Sequence, residues 1–149
     1  MAGGFGDEPV HDNPTDWVAK HMRTFLESGG AKGNTFYGRN SLLLTTRGRR
    51  TGKLRRTALW YFGDGERYLL VGSNGGLARH PAWYLNLLEN PDVEVQVRGE
   101  RFAARARPAD AQERPALWER LAAEVPQYAG YQKKLRSREL PVVIVERAR

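Results

Sequence analysis

Three arginines, two glycines and a lysine crowd the segment Arg47-Gly48-Arg49-Arg50-Thr51-Gly52-Lys53, directly after the apolar run Leu42, Leu43, Leu44. Arginine carries a fixed charge on a forked set of donors that matches phosphate or carboxylate oxygens. Glycine accepts positive φ and lets backbone amides come close to a ligand. The segment therefore predicts an anion-binding turn between two strands, with an exposed basic hairpin as the plain alternative. A second glycine-bearing stretch, Ser73-Asn74-Gly75-Gly76, follows another apolar run and precedes a helix start at Pro81. Unpaired amides and a helix dipole at such a junction favour negative charge, although a loop of this composition also serves as a connector. Tyr128 and Tyr131 stand three apart, on one face if their segment is helical. They offer either hydroxyls aimed at a ligand or rings facing the core.

Other chemistries lack parts. The histidines His11, His21 and His80 are scattered, and no metal-ligand spacing is present. His21 reads as a side chain beside an apolar stripe. Neither a Gly-x-Ser-x-Gly nucleophile elbow nor a Gly-x-x-x-x-Gly-Lys-Ser/Thr phosphate loop is found. Anion-binding loops, hydroxyls and aromatic rings without a nucleophile or base fit a site in which an organic cofactor carries the reaction.

The elements that must hold these residues can be read from pattern. Residues 1–13 form a glycine-rich lead expected to be flexible, and residues 14–149 one domain. A helix is expected from Asn13-Pro14, with Asn13 as cap, apolar positions Trp17, Val18, Met22, Phe25 and Leu26, and a stop at Gly29-Gly30. A polar connector over 31–40 leads to strands at 41–46, 57–62 and 68–72, an expected antiparallel meander. Residues 81–88 form a short helix closed by Asn90-Pro91. Val93, Val95 and Val97 alternate with charged or polar residues, and Phe102, Ala104 and Ala106 do so on the return. Asp110 and Glu113 make a capping box for a helix that Pro126 ends or kinks, and the run at 141–146 is apolar enough to be central in a sheet. About six mostly antiparallel strands with flanking helices make an α+β fold, a small barrel or strongly curved sheet, and not a doubly wound one.

The 149 residues suit a single core, and the absence of cysteine excludes disulfides and thiolate ligands. The net charge of +7 is uneven: residues 32–56 hold eight bases and no acid. Such a block implies an acidic partner: phosphate, polycarboxylate, nucleic acid or anionic lipid. No apolar run spans a membrane and the N-terminus is unlike a signal peptide, so a cytoplasmic location is expected. The Trp17 and Phe25 face is read as a core contact, with peripheral membrane docking as the alternative.

In order along the chain, Leu-Leu-Thr-Thr-Arg-Gly-Arg-Arg-Thr-Gly, Ser73-Asn-Gly-Gly, Pro81-Ala-Trp-Tyr-Leu-Asn-Leu, Asn90-Pro91, Pro126-x-Tyr128-x-x-Tyr131 and Pro141-Val-Val resemble the actinobacterial deazaflavin-dependent nitroreductases, also described as F420H2-dependent quinone reductases. The resemblance implies a split β-barrel, like that of proteins binding flavin mononucleotide, which here takes reduced coenzyme F420. It implies that Arg47, Arg49, Arg50, Thr51 and Gly52, with Lys53 and Arg55 near, hold the coenzyme's phosphate and acidic tail. It places Ser73, Asn74, Gly75 and Gly76 at the ring, Trp60, Trp83 and Asn86 beside the cofactor, and Tyr128 and Tyr131 on the acceptor side. Ser73, Tyr128 and Tyr131 are the implied catalytic groups; no metal is implied.

Three positions depart from the family pattern. Trp60 stands where a characterised relative has tyrosine, Asn74 replaces a lysine, and Val125 replaces a substrate-side tyrosine. The implied activity is hydride transfer to a quinone or related acceptor, nitroaromatics included. The alternatives are a split barrel binding flavin mononucleotide or a tetrapyrrole, and a basic nucleic-acid-binding barrel in which charge and aromatics form a stacking platform. Charge concentrated at one turn, rather than along a stripe, speaks against nucleic acid. The sequence leaves the oligomeric state open.

Overall fold

The computed structural model describes residues 4–32, 35–36 and 38–148; residues 33, 34 and 37 of the expected connector, 1–3 of the expected lead and 149 lie outside the described residues. Among the described residues, nine strands and four α-helices follow the order β1 (Val10–Asp12), α1 (Asp16–Glu27), β2 (Thr35–Phe36), β3 (Arg39–Arg47), β4 (Leu54–Trp60), β5 (Phe62–Asp64), β6 (Arg67–Val71), α2 (Ala82–Glu89), β7 (Asp92–Val97), β8 (Glu100–Pro108), α3 (Arg114–Glu124), α4 (Pro126–Lys134) and β9 (Val142–Arg147). The sheet runs β1-β4-β3-β7-β8-β9-β6-β5, with β2 paired to β3. The β1–β4 pairing is parallel and the rest antiparallel, so the sheet is mixed.

The expected α+β class holds, and the expected count of six strands is corrected to nine. The three extra strands, β1, β2 and β5, are two or three residues long, too short to show a period of two in sequence. The expected meander is also corrected. The strand expected at 57–62 begins at Leu54 and is broken at Tyr61, whose amide donates to the Asn40 carbonyl. Its first part pairs with β3 and its second with β6. The hydrogen-bonded ladder thus stays open while the chain, passing through Tyr61, joins β5 at one end to β4, next to the other.

The apolar run of β9 lacks alternation because both faces are covered. Val143 and Val145 join Leu42, Leu44, Leu70, Val95 and Phe102 inside the curve of the sheet. Val142 and Ile144 join Leu121, Val125 and Tyr128 beneath α3 and α4. Strands buried on both sides read as continuous apolar runs. In β7 and β8 the alternation behaves as expected, with Val93, Val95, Phe102, Ala104 and Ala106 buried.

Helix α1 packs Val18, Met22 and Phe25 on Leu43. Full burial of Phe25 corresponds to about 1.5–3 kcal/mol of transfer free energy. Asn13 does not cap this helix, which starts at Asp16. It accepts from the Thr15 amide and donates to Thr57 Oγ1, tying the chain to β4. Gly30, at φ +89, stops the helix at a point where a Cβ would lie 1.8 Å from the Arg98 carbonyl. Phe25 is sealed in the core while Trp17 is 57% exposed, so the two do not form one outward face. Among the described residues no helix is long and apolar enough to cross a membrane.

The Asp110–Glu113 box forms: Glu113 N donates to Asp110 Oδ1 at 2.8 Å and Asp110 N to Glu113 Oε1 at 2.9 Å. Val10–Asp12, within the expected flexible lead, forms β1 against Leu54, Arg55 and Arg56.

Candidate functional site

The basic segment is the β3–β4 turn, with Arg47 opposite Leu54 in register. Gly48 N donates to the Lys53 carbonyl at 2.7 Å and Gly52 N to the Gly48 carbonyl at 2.8 Å, closing the loop on itself. Gly52 sits at φ +72, a conformation that disfavours other residues. The amides of Arg50 and Thr51 have no hydrogen-bond partner among the described residues.

The turn's orientation is fixed from α2. Asn86, buried, accepts the Arg49 amide and the Arg49 guanidinium on one oxygen, each at 3.1 Å, and donates to Thr46 Oγ1 at 3.1 Å. The arginines divide by partner. Arg47 grips Glu8 through two hydrogen bonds of 2.8 Å, donates to the Gly52 carbonyl and lies over the Phe5 ring. That pairing holds the Glu8 carboxyl below its usual range and raises the Arg47 guanidinium. Arg56 is paired likewise with Asp12. Arg49, Arg50, Lys53 and Arg55 have no carboxylate partner among the described residues, Arg49 donating instead to the neutral Asn86 carboxamide. The charge left for an outside anion is theirs.

The second loop continues β6. Asn74, Gly75 and Gly76 have φ of 49, 62 and 81, three successive residues in the left-handed region. Asparagine tolerates that region far better than most side chains, and Asn74 further donates to the Arg79 carbonyl at 3.1 Å. Asparagine thus suits the backbone at position 74. A Cβ on Gly75 would meet nothing within 4 Å, whereas one on Gly76 would lie 2.7 Å from the Tyr131 ring. The Ser73 hydroxyl makes no hydrogen bond among the described residues.

Helix α4 carries both tyrosines. Tyr128 is buried edge-on to Phe62, ring centres 6.4 Å apart. Burial pushes its hydroxyl up to about 12, with Arg39 pulling the other way and Tyr131 adding to the rise. That hydroxyl has no hydrogen-bond partner among the described residues, yet it is not sealed off, because Tyr128 reaches the wall of a large cleft. Val125, in the place of a further tyrosine, is fully buried in the α3–α4 core.

The cleft has a volume of about 890 Å³. It brings together Arg49, Arg50, Thr51 and Arg55 of the turn and its flank, Trp60 of β4, Ser73, Asn74 and Gly75, Trp83 and Asn86 of α2, and Tyr128. Arg47, Gly52, Lys53, Gly76 and Tyr131 do not line it. Arg47 is committed to Glu8 and Tyr131 packs behind Gly76. The cleft also has a wall that sequence reasoning missed, built by His11, Asp12, Asn13, Thr15 and Trp17. The one signal that could have found it is the acidity of residues 1–30, which hold five acids against Lys20 and Arg23. Arg138, which reaches the 73–76 loop from behind, left no signal at all.

The donors suit an anionic, ring-bearing ligand. Two unpaired amides and three unneutralised guanidiniums, those of Arg49, Arg50 and Arg55, belong to residues that line the cleft, as do the indole rings of Trp60 and Trp83, and Gly75 leaves open space.

The described architecture is shared with known proteins. The model of the F420H(2)-dependent quinone reductase family matches residues 17–147. An F420H(2)-dependent quinone reductase of Mycobacterium tuberculosis is 42% identical over 110 residues, covering 72% of this chain and 73% of that protein. Among solved structures, an F420-H2 dependent reductase of type FDR-A superposes with a TM-score of 0.63 at 37% identity, covering 71% of this chain and 93% of that one. Another, described as a domain-swapped dimer, gives 0.67 at 37% identity over 90% of this chain and all of that one. The family match and these relatives mark the chain as an oxidoreductase that depends on reduced coenzyme F420. The chain belongs to the F420H(2)-dependent quinone reductase family.

Proposed function

We propose that this protein, as a curved-sheet enzyme of the split-barrel type, reduces a quinone or a related organic acceptor with coenzyme F420 in the cleft between the basic turn and α4. The reading is carried by one observation: the unneutralised cations of the turn open into the same cleft as Ser73, Trp83 and Tyr128. When bound, the reduced coenzyme supplies a hydride, and the acceptor takes that hydride with one proton to leave as the hydroquinone.

The chain's own residues have distinct tasks. Arg50 and Arg55, with the free amides of Arg50 and Thr51, hold the phosphate and the acidic tail by charge-assisted hydrogen bonds. Arg49 lends charge but is itself oriented by Asn86. Trp83 and Trp60 supply flat apolar walls for a ring, and Gly75 lets it approach the backbone. Ser73, whose hydroxyl is free, donates to the ring or to the oxygen on which negative charge develops.

Tyr128 keeps its proton across the working range, since its hydroxyl is pushed up to about 12. It is therefore a standing hydrogen-bond donor to the acceptor oxygen rather than a base, and the proton that completes the hydroquinone comes from solvent.

The test is a titration of the purified protein with F420, followed by tryptophan fluorescence. Trp60 and Trp83 line the cleft, so quenching at micromolar coenzyme is expected. No quenching would sink the assignment.

A further inference from the structure

Behind the 73–76 loop lies a guanidinium whose donors are spent almost entirely on the backbone. Arg138 belongs to the segment between α4 and β9 and does not line the cleft. Its Nη1 donates to the Gly72 carbonyl at 2.9 Å, its Nη2 to the Ser73 carbonyl at 2.7 Å, and its Nε to the Leu77 carbonyl at 2.9 Å. Nη1 also faces His80 Nδ1 at 3.2 Å. A guanidinium can only donate, so that ring nitrogen accepts and the His80 proton sits on Nε2. Four acceptors spread over nine residues are thus gathered on one planar group.

The other end of Arg138 is anchored to the tyrosine helix. Gln132, on α4, donates to the Arg138 carbonyl at 3.1 Å and accepts the Leu140 amide at 2.6 Å. Gly76 adds a packing contact to Tyr131, so close that a Cβ would overlap the ring. Local support for the loop is sparse: beside its backbone bonds it has one side-chain bond, from Asn74 to the Arg79 carbonyl. Three successive left-handed residues close it with only two backbone hydrogen bonds, Gly76 N to Ser73 O and Leu77 N to Asn74 O.

We propose that Arg138 is a positioning residue of the reaction: it locks the Ser73 loop to the α4 tyrosine helix, so that the Ser73 and Tyr128 hydroxyls keep a fixed separation across the cleft. The requirement for arginine is geometric. Three carbonyls and a ring nitrogen need a planar fork, and a lysine ammonium at the end of a flexible stem cannot reach all four. The role of the cleft in the reaction is taken from the function proposed above.

Two measurements test it, on the full chain. The first is amide hydrogen exchange of residues 73–77 in protein without coenzyme, comparing the native chain with Arg138→Lys and Arg138→Ala. Exchange in this loop is expected to rise about tenfold or more in Arg138→Ala and by less in Arg138→Lys, with β6 and β9 unchanged, and millimolar ethylguanidinium restores protection in Arg138→Ala. The second is kinetic. Arg138→Lys keeps the F420 dissociation constant within about twofold, because the turn is untouched, while kcat falls about tenfold. Unchanged loop exchange in both variants overturns the proposal, and so does exchange that rises throughout the sheet without rescue, which marks a folding role alone. The exchange measurement needs no coenzyme, so it stands if the native chain fails to bind F420, an outcome that would count against the proposed function only.

Discussion

Through a single oxygen, Asn86 on α2 accepts both the backbone amide and the guanidinium of Arg49, 37 residues earlier in the chain. The carboxamide is buried, so its orientation is set by this pair and by Thr46 rather than by solvent. The helix that carries Trp83 and the turn that carries the cations are therefore tied directly to one another.

Replacing Asn86 with leucine keeps much of its volume but strands the Thr46 hydroxyl and the Arg49 amide. The expected cost is about 2 kcal/mol, a fall in Tm of ~4–8 °C by calorimetry. F420 affinity falls with it, because the turn loses its reference point.

Arg50→Ala with Arg55→Ala is expected to weaken F420 binding by about 100-fold, from two lost charge-assisted contacts of ~1.4 kcal/mol each, with Tm nearly unchanged. Arg47→Ala behaves differently. It breaks the Glu8 pair and leaves F420 affinity within about threefold, since its charge is already balanced within the chain. Isothermal titration of both variants decides between the two roles.

Tyr128→Phe preserves the ring contact with Phe62 and removes only the hydroxyl. Acceptor turnover is expected to fall about tenfold or more while F420 affinity holds. The alkaline limb of stability checks the same group. A hydroxyl raised to about 12 in the folded chain contributes stability that is complete below the ordinary tyrosine value near 10 and fades as pH rises through the folded value. Denaturant unfolding between those two pH values should therefore lose less stability in Tyr128→Phe than in the native chain.

His80 responds to acid. Burial first, and the Arg138 charge second, hold its ring below the ordinary histidine value. Its stability contribution is complete above the unfolded value near 6.5 and is lost as pH falls through the lower, folded one. His80→Asn, which retains an acceptor for Arg138 but does not titrate in this range, should flatten the acid limb in unfolding curves.

Gly30→Ala places a methyl group onto the Arg98 carbonyl at a positive φ. Destabilisation of about 3 kcal/mol or more is expected, read by urea unfolding. The cleft is remote from this contact, so F420 affinity per folded molecule should not change.

Much of the fold is legible in the residue pattern alone. The valines of β7 and the alanines of β8 declare a half-buried hairpin by their period, and the box at Asp110 and Glu113 declares a helix start. The glycines and arginines of the β3–β4 turn declare an anion site by residue type. What the pattern hides is pairing over distance. Nothing near Arg47 shows that Glu8 neutralises it, since the partner lies 39 residues away. Strand β1 is three residues long and mostly polar, and takes its shape from β4 rather than from its own pattern. The break at Tyr61 is equally silent, because a continuous run of Trp, Tyr and Phe reads as one strand. Arg138 looks in sequence like any solvated arginine in a polar loop, and only the carbonyls turned toward it reveal otherwise.

The position of β9 has a consequence for how the protein is made. Remove it, and the ladder separates into β1-β4-β3-β7-β8 on one side and β6-β5 on the other. The basic turn belongs to the first group and the Ser73 loop to the second, and Arg138, which pins that loop, lies just before β9. A nascent chain that has not yet supplied these residues lacks both the strand that bridges β8 to β6 and the guanidinium that holds the Ser73 loop. Coenzyme bound across both groups would therefore add its binding free energy to the joining that β9 completes.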